Sequence, residues 1–174
     1  DMLAAERVID RVEEKFARIF GRRYPGMIEA VNCDDAEVVL VTLGSISGLA
    51  KAAVVRLRKQ GKRVGLLRIR YMRPFPAAAI ARALKGARAV GVLEKDVSFG
   101  AEGTVFTNVN SALQQAGSTV PTMNFVGGLG GDDIAEAQMD AMFDELVRLA
   151  SGRVPEKRVV FLGIDFACGE GGRS

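Results

Sequence analysis

Val38, Val39, Leu40, Val41 and Leu43 follow one another with a single polar break, Thr42, before Gly44 ends the run. A short, β-branched stretch without polar alternation predicts a strand covered on both faces, as in a parallel sheet with helices above and below. Ser45-Ile46-Ser47-Gly48 then reads as a turn. Leu49, Ala52, Ala53, Val54 or Val55, and Leu57 recur at helical spacing up to Gly61, a suitable glycine just past a helix end. The β-turn-α pattern repeats. Residues 63–70 predict a second strand, and Pro74 and Pro76 forbid helix until residues 77–84. Residues 87–93 predict a third strand, 104–116 a helix with Val105, Val109, Ala112 and Leu113 inside, and 120–126 a fourth strand. A closing helix runs from Ile134 to Leu149, and residues 158–163 read as one more short strand or a docking arm. At the front, Ile9, Val12, Phe16, Ile19 and Phe20 form the stripe of an amphipathic helix that ends at Gly21. Tyr24-Pro25-Gly26 turns into residues 27–31, whose alternation suits an edge strand.

The pattern divides the chain into a linker helix and turn at 1–26, an α/β body at 27–163 and a glycine-rich, mobile tail at 164–174. Alternating strands and helices with short loops predict a three-layer α/β/α sandwich around a mostly parallel, doubly wound sheet. A chain of 174 residues can bury about 70% of its unfolded surface and needs no staple. Cys33 and Cys168 lie far apart with no partner at metal or redox spacing, so both are expected as free thiols in a reducing cytoplasm. No apolar run approaches the length of a membrane span.

Composition narrows the chemistry. Twenty-four basic and twenty-one acidic residues leave a net charge of +3, and without tryptophan or aromatic–basic interleaving no nucleic-acid partner is expected. The absence of histidine removes Ser-His-Asp triads, HExxH zinc sites and the commonest general base. At the carboxyl edge of the sheet, where ligands of such folds gather, stand residues 44–48, 70–75, 94–103 and 127–133. Gly44-Ser-Ile-Ser-Gly48 lacks GxGxxG spacing, and no Walker loop closes with GK[ST]. The glycine run 127–131 leads into Asp132 and Asp133, read as carboxylates at a helix N-terminus that satisfy its dipole and repel phosphate. Arg68 and Arg70, two apart on one strand, share a face and need carboxylate or carbonyl partners, with Glu94 and Glu102 as candidates. Salt links and caps are the expected roles of those glutamates, ahead of acid–base work.

Several of these runs together resemble a known family: Val41-Thr42 with Gly44-Ser45, Arg68-Ile69-Arg70 with Arg73-Pro74-Phe75-Pro76, Leu93-Glu94 with Ser98-Phe99-Gly100 and Glu102-Gly103, and Gly127 to Asp132. Across residues 4–163 and in the same order, they are similar to the carboxyl-terminal part of the α subunit of pyruvate (2-oxoacid):ferredoxin oxidoreductases. The resemblance implies a transketolase C-terminal-like domain with five strands in the order 1-3-2-4-5, the first antiparallel. Glu94-Lys95 departs from it, standing where these oxidoreductases often carry a basic residue.

The resemblance also implies that this chain binds no cofactor and supplies no catalytic or metal-ligating residue. Thiamine diphosphate, Mg2+, iron–sulfur clusters and coenzyme A would belong to the parent complex. The implied partners are an upstream pyrimidine-binding domain, a β subunit that holds the pyrophosphate, γ and δ subunits, ferredoxin or flavodoxin, and a second copy in a homodimer. The candidate interface or anion contacts are Arg68, Arg70, Arg73, Glu94, Phe99, Glu102 and Phe106. Assembly surfaces are expected at the stripe Ile9, Val12, Phe16, Ile19 and at the segment 99–109. Two other readings remain: a free-standing domain binding a nucleotide or phosphorylated metabolite at the strand ends, and the related domain of a 2-oxoacid dehydrogenase E1 β chain.

Overall fold

The structure, a computed structural model, describes residues 2–24 and 26–163; Cys168 and the expected tail lie outside the described residues. Its elements in chain order are α1 (Ala5–Phe20), β1 (Ile28–Val31), β2 (Val38–Leu43), α2 (Ile46–Lys59), β3 (Val64–Ile69) and α3 (Ala77–Ala83). They continue with β4 (Ala89–Glu94), α4 (Thr104–Gln115), β5 (Thr122–Val126), α5 (Glu136–Ala150) and β6 (Val159–Phe161). The strands form one sheet in the order β1-β3-β2-β4-β5-β6, parallel except for β1, which runs antiparallel to β3. The order of the first five is the one the family resemblance implies. The sheet is nevertheless six-stranded, because residues 159–161 pair with β5 as a further parallel strand.

The unalternating run at 38–43 lies in the middle of the sheet, and its side chains feed two cores. Val38 and Leu40 join α2 and α5, whereas Val39 and Val41 join α3 and α4. Both faces are covered, which is why hydrophobicity here does not alternate. Residues 45–48 are not a separate turn as expected: the helix begins at Ile46, because Ile46 is buried and Ser47, also buried, meets Thr42 through a 2.9 Å hydroxyl–hydroxyl hydrogen bond. Gly91 in β4 lets α5 come close, since a Cβ there would lie 2.8 Å from Leu146 Cδ1. Cys33 is buried and donates to the Leu66 carbonyl at 3.2 Å, and burial pushes its thiol up to about 11.

Helix α1 stands apart from these layers and has no buried residue. Gly21, at φ 66°, ends it in a left-handed cap whose N–H reaches the Ala17 carbonyl at 2.9 Å. The attachment to the body is polar: Glu13 accepts the Gly26 N–H at 2.7 Å and an Arg70 N–H at 3.1 Å. No helix among the described residues is long and apolar enough to cross a membrane.

Candidate functional site

The carboxyl ends of β2, β3, β4 and β5 deliver Gly44, Arg70, Lys95 and Gly127 to one edge of the sheet. Glu94, the last residue of β4, is 3% exposed and is the one buried charged side chain among the described residues. On its strand it shares a face with Val90 and Val92, and so turns toward α4. Its Oε2 accepts the Val105 N–H at 2.7 Å, and its Oε1 accepts the Phe106 N–H at 3.1 Å and the Asn124 amide at 2.8 Å. Asn124 Oδ1 accepts the Gly103 N–H at 2.8 Å, and the same amide donates to the Val92 carbonyl at 3.2 Å. A helix leaves its first N–H groups without intrahelical partners. The position before α4 is Gly103, which has no side chain to offer, so two neighbouring strands supply the cap. Gly103 must stay bare, because a Cβ there would collide with the Glu94 carboxylate. Burial pushes the Glu94 carboxyl above the ordinary carboxylate range, and the Val105 and Phe106 N–H groups and the Asn124 amide draw it partly back. A carboxylate whose two oxygens meet three protein donors under full burial acts as a cap. Glu102 does not join it; Thr107 Oγ1 donates to it at 3.2 Å on the outside of the first turn.

The three arginines lie toward the carboxyl end of β3, as the strand direction requires, but Glu94 and Glu102 are not their partners. Strand β2 lies between β3 and β4, and Glu94 faces α4. Antiparallel β1 instead places Glu29 opposite Arg68, and their side chains meet at 3.5 Å, leaving Arg68 Nε buried without a partner. Arg70 pairs with Glu13, reaches the Gly26 carbonyl at 3.2 Å, and lies near the rings of Tyr24 and Tyr71 at 5.2 and 5.8 Å. Among the described residues, Arg73 reaches only its neighbouring Met72 carbonyl, at 2.7 Å. The cluster therefore secures β1 and α1 and does not converge on one anion. Phe106 is also corrected: it is fully buried among Val105, Val109 and Ile80 and presents no surface. Phe99, in contrast, is fully exposed at the tip of the loop between β4 and α4.

Gly127 and Gly128, directly after β5, make room for packing. A Cβ on Gly127 would meet Leu162, and one on Gly128 would meet the Lys95 stem at 2.7 Å. Asp132 and Asp133 do not cap α5 as expected, because positive φ at Gly128, Gly130 and Gly131 winds the chain through a separate 3-10 turn. The helix starts later, with Ala135 donating its N–H to Gln138 Oε1 at 2.8 Å. Among the described residues, no group of three His, Cys, Asp or Glu gathers to hold a metal ion.

The pyruvate:ferredoxin oxidoreductase core domain II family matches residues 36–139, from just before β2 into α5. The chain belongs to this family. It is 36% identical over 163 residues to pyruvate synthase subunit PorA of Methanothermobacter thermautotrophicus, covering 94% of this chain and 40% of the relative. It is 36% identical over 151 residues to ketoisovalerate oxidoreductase subunit VorA of Pyrococcus abyssi, covering 86% of this chain and 38% of the relative. It is 35% identical over 162 residues to the α subunit of NADH-dependent phenylglyoxylate dehydrogenase of Aromatoleum evansii, covering 92% and 39%. The chain thus spans about two fifths of the length of these curated relatives. Two solved structures share the fold. A split-gene transketolase, an inactive β4 tetramer, superposes with a TM-score of 0.57 at 14% identity over 74% of this chain and 44% of its own. The 2-oxoglutarate:ferredoxin oxidoreductase of Magnetococcus marinus superposes with a TM-score of 0.51 at 19% identity over 81% and 23%.

Within this core domain II chain, sequence reasoning missed two side chains that position others. Asn124 braces Glu94, and its signal was available: Thr122 and Asn124 alternate with Met123 and Phe125 in β5, marking one polar face on a buried strand. Glu13 holds α1 to the body, and it sits four residues from Ile9 on the same apolar stripe, where a carboxylate calls for a partner.

Proposed function

We propose that this chain is the scaffold and assembly domain of the α subunit of a thiamine-diphosphate-dependent 2-oxoacid:ferredoxin or flavodoxin oxidoreductase, which decarboxylates its substrate oxidatively and transfers the acyl group to coenzyme A. Family membership and the PorA relatives support pyruvate as the 2-oxoacid. Relatives named for pyruvate, ketoisovalerate and phenylglyoxylate are about equally similar, which supports substrate selection by residues outside this segment. In this reading thiamine diphosphate, Mg2+, the iron–sulfur clusters and coenzyme A are held by the pyrimidine-binding domain and by the β, γ and δ subunits. Gly127 and Gly128 at the carboxyl edge accommodate Leu162 and Lys95, and the buried carboxylate caps α4, which supports this reading. The same facts count against a nucleotide at the strand ends, and the family match counts against an E1 β chain.

The observation that carries the proposal is the uncovered stripe of α1, where Val12, Ile19 and Phe20 are each more than half exposed. A helix of 16 residues is marginal in water without a packed face. Residues 1–26 act as a linker that meets the rest of the subunit or a second copy, residues 27–163 as the folded body, and residues 164–174 as a tail, in a cytoplasmic complex. The test is to measure 2-oxoacid- and coenzyme-A-dependent viologen reduction by the 174-residue chain and by the chain assembled with its partner subunits. Activity is expected only in the assembly; turnover by the isolated chain sinks the scaffold reading.

A further inference from the structure

We infer that the groove at the amino end of β5 binds a small organic anion, a carboxylate or phosphate carried on an apolar body. The groove has a volume of about 520 Å3, within the range of small-molecule sites. Pro121, Leu149 and Val154 give it apolar walls, and Arg153 and Arg158 are the charged residues of its lining. A second cavity of about 480 Å3 shares Arg153 and Val154 but is lined also by Glu145, Glu156 and Lys157. That cavity carries carboxylates as well as cations. The first groove has cations alone, so an anion is directed to it.

One of the two guanidinium groups is already held in place. Arg158 donates to Thr122 Oγ1 at 3.0 Å, Thr122 donates in turn to Asn110 Oδ1 at 2.8 Å, and the Arg158 guanidinium carbon lies 5.0 Å from the centre of the Phe106 ring. These contacts fix an arginine without neutralising it; no carboxylate among the described residues pairs with Arg158 or Arg153. A planar fork fixed on one side and free on the other suits bidentate binding of carboxylate or phosphate. The nearby end of α5 opposes an anion only weakly, because the N–H groups of Ser151, Gly152 and Arg153 already occupy its last carbonyls. The groove lies at the opposite end of β5 from Gly127 and the carboxyl edge, so its ligand would act away from the edge where α/β sheets place their reactions. This inference does not depend on the assembly reading.

Isothermal titration of the 174-residue chain tests it, with phenyl phosphate as probe and inorganic phosphate as control. Saturable binding of phenyl phosphate, weaker binding of inorganic phosphate, and a loss of about tenfold or more in Arg158→Met are expected, with Arg153→Met weaker in the same direction. Arg82→Met, a cation on α3 outside the groove, should bind as the parent does. Thermal melts confirm that each variant is folded. No saturable heat, or equal affinity in Arg158→Met, overturns the inference. So does loss of phenyl phosphate binding when the partner subunits are assembled, since the groove would then be a protein contact.

Discussion

Helices α1 and α5 are nearly equal in length and carry the same kind of apolar stripe, yet their environments are opposite. Helix α5 buries Met139, Met142, Phe143, Leu146 and Leu149 against the sheet, and α1 buries none of its residues. Of the exposed large hydrophobic side chains, Met2, Val8, Val12, Phe16, Ile19, Phe20 and Tyr24 all belong to the first 24 residues. The spacing of apolar residues says which face a helix must cover; it does not say what covers it. For α5 the answer lies inside the chain, and for α1 it does not lie among the described residues.

The sharpest way to break this contrast is truncation inside α5. Leu146→Ala should cost about 3–5 kcal/mol in urea unfolding, because Leu146 is fully buried against β4; a loss below about 1 kcal/mol would show that α5 is as loosely covered as α1. Next comes the cap of α4. Glu94→Ala should cost about 2–4 kcal/mol, since it orphans the Val105 and Phe106 N–H groups and the Asn124 amide in a buried place. The direction of its titration gives a second readout. The folded-state value is raised by burial, so the stabilising difference is fully present below the ordinary glutamate range, near about 4.3, and is lost as pH rises through the folded-state value. The stability of the parent chain relative to Glu94→Gln should therefore decline with rising pH over that window, and a gap that widens would reverse the sign.

Smaller effects belong to α1. Glu13→Gln should weaken the tie to Arg70 and Gly26 by about 1 kcal/mol, visible as faster amide exchange within α1 while the exchange of β2 stays unchanged. Least of all, Val12→Ser with Ile19→Ser should move the global unfolding free energy by no more than about 0.5 kcal/mol, and it should reduce self-association or subunit capture in light scattering. A large drop in stability from that double variant would place α1 in the core after all.

Much of this architecture was legible in the sequence for a physical reason: strands covered on both faces lack polar alternation, and the runs at 38–41 and 64–67 announce that directly. Partners across the sheet were less legible. Glu94 was a good candidate for a cap, but nothing local in the chain says that Gly103, nine residues later, returns the helix start onto it. The shared face of Arg68 and Arg70 and the neighbouring loop point to Glu94 and Glu102, but the partners are Glu29 and Glu13, from the antiparallel edge strand and from α1. Its position after an exposed loop suggests surface for Phe106, but it lies three residues before Val109 and seven before Leu113, on the face that α4 packs against the sheet.

The bare backbone at Gly91 has a further consequence. Space between β4 and α5 is shared between two positions, and Leu146 currently takes nearly all of it. The two sites are therefore tenants of one volume, and size lost at one can be returned at the other. Gly91→Ala alone should be harmful, because its methyl would lie 2.8 Å from Leu146 Cδ1 and 3.0 Å from the Phe125 ring. Placed together with Leu146→Ala it should restore part of the missing packing, so that the double variant is more stable than the sum of the single losses allows. Related sequences that enlarge residue 91 should accordingly shorten residue 146, a trade between strand and helix that leaves the layer spacing unchanged.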